Sequence, residues 1–228
     1  MSTVQKLSLA LVGTTVVLMS ANPANAITLS KGSTTATPNG IFSTVLGATT
    51  IDFNNGINDP NGVATYSTPN AIVQGDLPGQ YAAPAGDKSS YLTISPADSN
   101  VQGNTGPVTI NFKKALNYFG LHWGSVDTYN SIAFFNGSTL LRTFTGSDVS
   151  TPPTGNQTIP QDNLFVDFFA DPGETFDKIV LSSSGVAFET DNHSYRLASV
   201  PEPTTTLGLL AFGIISAGSF VKRKSKLV

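Results

Sequence analysis

Two short segments of this chain hold most of the side chains that could bind a ligand or do chemistry. The first is residues 188–195, where the two-residue period of a strand places Glu189 and Asp191 on the same side. Residues two apart on a strand have Cα atoms roughly 6.6 Å apart, so both carboxylates can reach one Ca²⁺ ion. Further oxygen ligands would come from loops, with Asp52 and Asp127 as candidates. One interpretation of this segment is therefore a structural calcium site.

The same segment also has a simpler interpretation. His193 would lie roughly 13 Å from Glu189 along an extended strand, too far for both to bind one ion. The chain has neither EF-hand spacing nor a Gly-Gly-x-Gly-x-Asp repeat. The alternating polar residues would then form the solvated outer face of an edge strand, in which Asp191 and Asn192 shape a bend. This second interpretation is favoured, and apart from calcium no cofactor is expected.

The second segment is residues 121–130, which contain the only tryptophan of the chain. Aromatic rings can stack on sugar rings, while Asp and Asn side chains can bind hydroxyl groups. The candidate sugar contacts are therefore Trp123, Asp127, Tyr129 and Asn130. For Trp123 itself, which lies in an apolar and aromatic run, a position in the core is the favoured interpretation.

The sequence does not predict an enzyme. Glycoside hydrolysis requires two carboxyl groups roughly 5 to 9.5 Å apart across a cleft, and nothing in the sequence pairs Glu189 with an opposed acid. A Gly-x-Ser-x-Gly elbow, a His-Glu-x-x-His pair and a P-loop are all absent. The lack of cysteine excludes a thiol nucleophile, a thiolate metal site and disulfides. The remaining enzymatic alternative is a secreted glycan hydrolase that uses Glu189.

The charge of the chain is distributed unevenly. The whole chain carries a net charge of −3, but residues 27–200 contain 14 acids and 7 bases, a net charge of about −7. The other bases lie near the two ends. Nucleic-acid binding requires clustered Lys and Arg that neutralise phosphates, so the acidic middle segment argues against that class of partner.

Short β-type runs separated by Gly, Pro, Asn and Asp fill residues 27–199, without helical periodicity. Three of these predicted strands are residues 90–95, 164–169 and 176–182, whereas residues 68–87 form a long irregular stretch. Residues 107–112 alternate cleanly, and residues 116–123 are apolar enough for a separate, fully buried strand. A hairpin is predicted with Asn136 and Gly137 at the centre of a type I′ turn. About nine such runs predict an all-β fold, a single antiparallel β-sandwich or jelly-roll domain, with a small barrel as the alternative.

The amino-terminal end has the pattern of a secretory signal peptide. Lys6 lies in a short basic region, and residues 7–19 form an apolar run that is too short to span a membrane comfortably. Ala24 and Ala26 place small residues at the two positions that a signal peptidase inspects. We therefore expect signal peptidase to remove residues 1–26.

The carboxy-terminal end, residues 200–228, begins with Pro201, Glu202 and Pro203. Residues 204–221 follow without a charge, and a helix of that length spans roughly 27 Å, close to the hydrocarbon thickness of a bilayer. A basic cluster comes next and should stay on the cytoplasmic side. This predicts a transmembrane helix. The simplest interpretation of such a helix is an ordinary single-span membrane anchor.

In this order, the triplet, the apolar span and the basic cluster resemble the PEP-CTERM sorting signal of exported bacterial proteins. The resemblance implies that a membrane-embedded exosortase recognises Pro201, Glu202 and Pro203 and cuts near them. Residues 117–130 and 188–195 also resemble a recurring domain of exosortase-sorted surface proteins, seen especially in cyanobacteria. That second resemblance implies no activity.

The sequence thus predicts three parts: a signal peptide (1–26), an exported β domain (27–199) and a sorting signal (200–228). The expected function is that of a non-catalytic, exosortase-processed protein of the cell surface or extracellular matrix. Its precursor would be held in the inner membrane by the C-terminal helix. The alternatives are a carbohydrate-binding module of the exopolysaccharide matrix and a secreted glycan hydrolase. Expected partners are signal peptidase, exosortase and, for the binding module, exopolysaccharide.

Overall fold

The computed structural model describes residues 26–68, 71–101 and 104–199. The predicted signal peptide, apart from its last residue, lies outside these ranges, as does the predicted sorting signal with Pro201, Glu202 and Pro203. Within the described ranges, no helix is both long and apolar enough to cross a membrane.

The regular structure of the described ranges is almost entirely β-strand, which confirms the predicted all-β class. The helical elements are α1 (Gly146–Val149) and a 3₁₀ turn (Pro160–Asp162). The strands are β1 (Ile27–Lys31), β2 (Thr49–Ile51), β3 (Ala64–Tyr66), β4 (Ile72–Gln74), β5 (Ser90–Ser95), β6 (Asn104–Thr105), β7 (Val108–Gly124), β8 (Asn130–Asn136), β9 (Thr139–Thr145), β10 (Leu164–Ala170), β11 (Phe176–Ser183) and β12 (Phe188–Leu197).

Hydrogen bonds join all of these strands in one open sheet, whereas a sandwich with two separate sheets was predicted. The longest path through the sheet runs β4-β5-β12-β7-β11-β8-β9. Strands β10 and β3 pair with β7, β1 pairs with β10, and β2 pairs with β12. All pairs are antiparallel except the short parallel pair of β5 and β6. Short turns and hairpins favour antiparallel neighbours, in agreement with the punctuation of the sequence.

Strand β7 explains why the sheet is continuous. It is a single strand of 17 residues, so the prediction of two strands in this region was wrong. Its first half pairs with β11 and β3, and its second half pairs with β10 and β12. The two halves differ in burial, because the first alternates while the second is buried on both faces from Tyr118 onward. That change in the burial pattern suggested a break between two strands, but the β-strand continues without interruption through it.

The aromatic core shows that the sheet folds over itself in a sandwich-like manner. Phe134 lies on β8, and its ring centroid is 4.9 Å from that of Phe168 on β10. Strands β8 and β10 are not neighbours in the sheet, so this contact joins two layers. Phe119 and Phe176 also contact Phe134, which is fully buried. Burial of such rings is the main source of stability for a domain that has no disulfide.

The β8–β9 hairpin forms as predicted, but with a different turn. Asn136 pairs with Thr139, so the two central residues are Gly137 and Ser138 rather than Asn136 and Gly137. Gly137 has a φ of 57°, while Ser138 is not among the residues with positive φ. A type II′ turn requires glycine only at its first central position, whereas type I′ requires positive φ at both. The predicted turn was therefore wrong in two ways: its central residues were placed one position too early, and its type is not I′.

Strand β12 is a central strand, and the prediction of a solvated edge strand was wrong. It lies between β5 and β7, and its second half also pairs with β2. Its first eight residues are all buried, including Glu189 and Asp191. The alternation of polar residues suggested exposure to water. Instead these side chains face buried polar groups from other loops, which the sequence pattern could not reveal.

Candidate functional site

A cleft of about 420 Å³ opens beside the start of β12. One wall is the turn at residues 76–82, and another is the β7–β8 connection with Ser125, Asp127 and Tyr129. The β11–β12 connection and the loop between α1 and the 3₁₀ turn complete the lining. The two segments singled out in the sequence meet here because Glu189 pairs with Gly124 across β12 and β7.

Glu189 is the most deeply buried acid of this cleft, with 2% of its surface exposed. One carboxylate oxygen accepts a hydrogen bond from the backbone N–H of Ala82 at 3.0 Å, and the other accepts one from the Ser125 hydroxyl at 2.8 Å. Burial raises the pKa of the Glu189 carboxyl to about 7, and those two hydrogen bonds act in the opposite direction. Near neutral pH this group can therefore either donate or accept a proton.

Tyr129 and Asp127 form the side of the cleft next to Glu189. The Tyr129 hydroxyl donates to the carbonyl of Val186 at 3.1 Å. Its ring rests on Gly185, where an added Cβ would lie only 2.8 Å from two ring carbons. Asp127 is half-buried, and burial raises the pKa of its carboxyl. The predicted ligand residues Asp127 and Tyr129 thus do line a cavity.

The opposite wall comes from residues 76–82, part of a stretch that was predicted to be irregular. The backbone of Leu77 and Tyr81 makes two mutual hydrogen bonds, of 3.0 and 3.1 Å, that close a tight turn. Asp76 caps its end by accepting from the Ala83 N–H at 2.8 Å. The Tyr81 ring packs edge-on against Tyr91, with centroids 6.3 Å apart. This turn adds Tyr81 and Asp76 to the candidate site. The only signal in the sequence that could have indicated it is the spacing of its Gly and Pro residues.

The composition of the cleft restricts the ligands it can accept. Three acids (Asp76, Asp127 and Glu189) and two tyrosines face it, and in the described part of the chain no Lys or Arg lines it. Polyanions such as nucleic acids would be repelled. Carboxylates and phenol groups are suitable hydrogen-bond partners for hydroxyl-rich ligands, and tyrosine rings also provide apolar faces. The arrangement fits a neutral, polyhydroxylated molecule.

The other two predicted sugar contacts do not reach the cleft. Trp123 is fully buried, with its ring 4.5 Å from that of Phe188, so it belongs to the core. Asn130 is also fully buried. Its amide oxygen accepts from the Ser183 hydroxyl at 2.8 Å, and its amide nitrogen is 3.5 Å from the carbonyl oxygen of Ala187. Asn130 thus holds together the connections that border the cleft.

The predicted calcium pair is separated in the structure. Glu189 contacts Ala82 and Ser125, whereas Asp191 lies beside Asp87 and Ser89 in another buried cluster. Of the candidate lenders, Asp52 accepts from the backbone N–H of Asn54 at 3.2 Å, and Asp127 lines the cleft with Glu189. Among the residues that the structure describes, no group of three or more His, Cys, Asp or Glu is arranged to hold a metal ion. Two carboxylates two residues apart on one strand therefore do not form a shared metal site here.

Comparisons of this chain with protein-family models, with curated proteins and with solved structures find no match. Functional inference therefore depends on the residues and geometry described above.

Proposed function

We propose that this protein is an exported, exosortase-processed component of the cell surface or extracellular matrix, without catalytic activity. The observation that carries the proposal is the order of signals in the sequence, with an apolar leader first and a Pro-Glu-Pro triplet, apolar span and basic cluster last. The cysteine-free domain between them is compatible with export, because its aromatic core can stabilise the fold without disulfides. Signal peptidase and exosortase are the processing partners in this proposal.

Replacement of the acid in the triplet tests this proposal. We expect Glu202→Ala to leave unprocessed precursor in the inner membrane of a cell with an active exosortase, as measured by fractionation and intact mass. Asp98→Ala, which removes an acid from an exposed position of the β domain, is the matched control and should be processed normally. Normal processing of the Glu202 variant, or a protein that stays in the cytosol with both ends intact, would refute the assignment.

The second proposal concerns the role of the β domain, for which the cleft supports saccharide binding. Tyr81 and Tyr129 supply aromatic faces, while Asp76, Asp127 and Glu189 supply hydrogen-bonding groups around about 420 Å³. That volume lies within the range of small-ligand pockets. A binding module of this kind would retain the protein in an exopolysaccharide matrix. Folded-over β layers of the sandwich or jelly-roll type are compatible with such a role.

Binding is tested with neutral oligosaccharides on a glycan array, followed by calorimetry. We expect Tyr81→Ala and Tyr129→Ala each to weaken binding by roughly 5-fold to 100-fold, if loss of one aromatic stacking face costs about 1–3 kcal/mol. Leu140→Ala, on an exposed residue of β9, should leave binding unchanged. Trp123→Ala is unsuitable, because loss of that buried ring would unfold the domain. Unaltered affinity in both tyrosine variants would contradict the assigned cleft.

A secreted glycan hydrolase is the third candidate, favoured by one observation. The raised pKa of Glu189, about 7, is typical of a general acid in a water-poor site. Activity on a broad glycan panel that disappears in Glu189→Gln, with thermal stability retained, would support this candidate over binding alone. Saccharide binding without any turnover would remove it.

A further inference from the structure

A second buried polar cluster lies around Gly40, between the β1–β2 connection, the loop before β5 and the middle of β12. A Cβ atom added to Gly40 would lie 2.7 Å from Asp87 Oδ2, 3.0 Å from Asp191 Oδ2 and 2.8 Å from Asn192 Nδ2. Side chains from two distant parts of the chain therefore converge on one point below the Gly40 backbone. The φ of Gly40 is +75°, a conformation in which glycine is unstrained.

Three oxygen atoms of this cluster are buried and have no hydrogen-bond partner: Asp87 Oδ2, Asp191 Oδ1 and Asn192 Oδ1. Buried polar atoms in folded proteins nearly always have a partner, because an unsatisfied one costs free energy. The hydroxyl of Ser89 bonds to Asp87 Oδ1, and its contact with Asp191 Oδ2 is long, at 3.4 Å. The side chains of Asp87 and Asp191 also approach each other closely enough for a hydrogen bond, which requires a proton or a cation between the two carboxyl groups. No donor from a neighbouring side chain or backbone group reaches Asp87 Oδ2, Asp191 Oδ1 or Asn192 Oδ1.

The negative charge of the cluster is not compensated by a neighbouring base. The ion-pair contact recorded for Asp87 in the described ranges is with His122, whose Nδ1 lies 3.9 Å from Asp87 Oδ2. That nitrogen is also 3.4 Å from the backbone N–H of Ile41, which donates to it. A ring nitrogen that accepts a hydrogen bond carries no proton, so His122 is a neutral imidazole in this arrangement.

We propose that Asp87, Asp191 and Asn192 form a structural calcium site. Ca²⁺ takes oxygen ligands from carboxylates and amide carbonyls at about 2.3–2.6 Å. Two aspartates balance the charge of one divalent ion, and Asn192 Oδ1 adds a neutral ligand. These oxygen donors suit Ca²⁺ better than Zn²⁺, which prefers nitrogen and sulfur.

A β-bulge explains how two consecutive residues can serve one site. The register of β12 against β7 shifts between Asp191 and Ser194, and Asn192 has a φ of 51°. A bulge redirects the side chain of the extra residue, so Asn192 can turn to the same side as Asp191. The Asn192 amide nitrogen donates to the carbonyl of Asn39 at 2.7 Å. An ion at this point would tie the β1–β2 connection and the loop before β5 to a central strand.

The test uses the full chain, stripped with EDTA and then titrated with CaCl₂ at pH 7. We expect one Ca²⁺ per chain by calorimetry. At a calcium concentration about 100-fold above Kd, the Tm should rise by roughly 5–10 °C. MgCl₂ at equal ionic strength should have a much smaller effect, since Mg²⁺ sheds its water reluctantly. No bound calcium and no rise in Tm would overturn the proposal and would leave a proton shared between Asp87 and Asp191 as the explanation.

Two variants locate the site. Asp191→Asn and Asp87→Asn should each abolish the calcium-dependent rise in Tm by removing a charged ligand. Without calcium, these variants should be at least as stable as the stripped wild type, because the two buried carboxyl groups no longer oppose each other. Glu189→Gln, two residues away on the same strand, is the matched control and should keep the full rise. A rise that survives in Asp191→Asn, disappears in Glu189→Gln, or occurs with Zn²⁺ in place of Ca²⁺ would refute this assignment.

Discussion

Asp162 holds the long loop that borders the cleft, and its replacement by asparagine should be strongly destabilising. The side chain is fully buried at the end of the 3₁₀ turn. One oxygen accepts from the Ser150 hydroxyl at 2.6 Å, and the other accepts from the backbone N–H groups of Thr154 and Asn156 at 3.1 and 3.2 Å. The Thr154 hydroxyl donates to the second oxygen as well. Gly155, within this loop, lines the cleft.

The magnitude follows from the number of donors that share one carboxylate. Hydrogen bonds to charged groups contribute about 1.5–3 kcal/mol each, but bonds to one acceptor are not additive. Asparagine keeps the size and one oxygen, so part of the network survives. We expect Asp162→Asn to lower the free energy of unfolding by about 2–4 kcal/mol at pH 7. For a domain of this size, the corresponding fall in Tm is roughly 5–15 °C.

The pH dependence identifies the charge as the cause. Burial by itself would raise the pKa of Asp162, but the hydrogen bonds from Ser150, Thr154 and Asn156 outweigh it and hold the pKa below its ordinary value of 3.8. The folded-state pKa is thus lower than the unfolded-state pKa. The carboxylate therefore stabilises the fold above pH 3.8, and this contribution is lost as the pH falls through the folded-state pKa.

Urea denaturation of the wild type and Asp162→Asn at a series of pH values measures this effect. The difference in unfolding free energy should be largest near pH 7 and should shrink steadily below about pH 4. Asp98→Asn makes the same change of charge on an exposed residue and should show a difference within about 0.5 kcal/mol throughout. A difference that is constant from pH 7 to pH 2.5, or equal in the two variants, would refute the reasoning.

Three further outcomes follow from the packing. Phe134→Ala should lower the free energy of unfolding by about 3–5 kcal/mol, and Phe134→Leu by less, in urea denaturation; equal small losses would contradict the two-layer core. Gly185→Ala should displace the Tyr129 ring and weaken saccharide binding in calorimetry while most of the stability is kept; unchanged affinity would argue against that wall of the cleft. Tyr118→Phe should lower the free energy of unfolding by about 1–3 kcal/mol in urea denaturation, because it removes the donor at 2.7 Å from the buried carboxylate of Asp167. An unchanged free energy of unfolding would mean that water replaces the hydroxyl.

Local sequence patterns predicted most of the strands correctly. Residues 90–95 were expected to form a strand, and β5 has those same bounds. The β8–β9 hairpin, β10 and β11 also lie within a residue or two of their predicted positions. Alternation and turn residues act over a few positions, so they can be read without knowledge of the fold. The continuity of β7 could not be read in this way, because its pattern of burial changes midway along the strand.

The candidate cleft was only half predictable. Asp127, Tyr129 and Glu189 were recognised because polar and aromatic groups cluster in two short segments. Tyr81 was missed because it lies in a tight turn without periodicity. For Trp123 a position in the core was favoured over sugar contact, and its full burial confirms that it is packed in the core.

The sequence by itself determined the predictions for the two ends, since a leader and a sorting signal are linear patterns of charge and hydropathy. It also determined the β class, which depends on local alternation. Only the tertiary structure decided what surrounds β12. Whether Glu189 and Asp191 face water, a cleft or one another depends on loops 64 to 107 residues away, and no local pattern encodes those contacts. That long-range burial separates the two acids into a proposed saccharide cleft and a proposed calcium site.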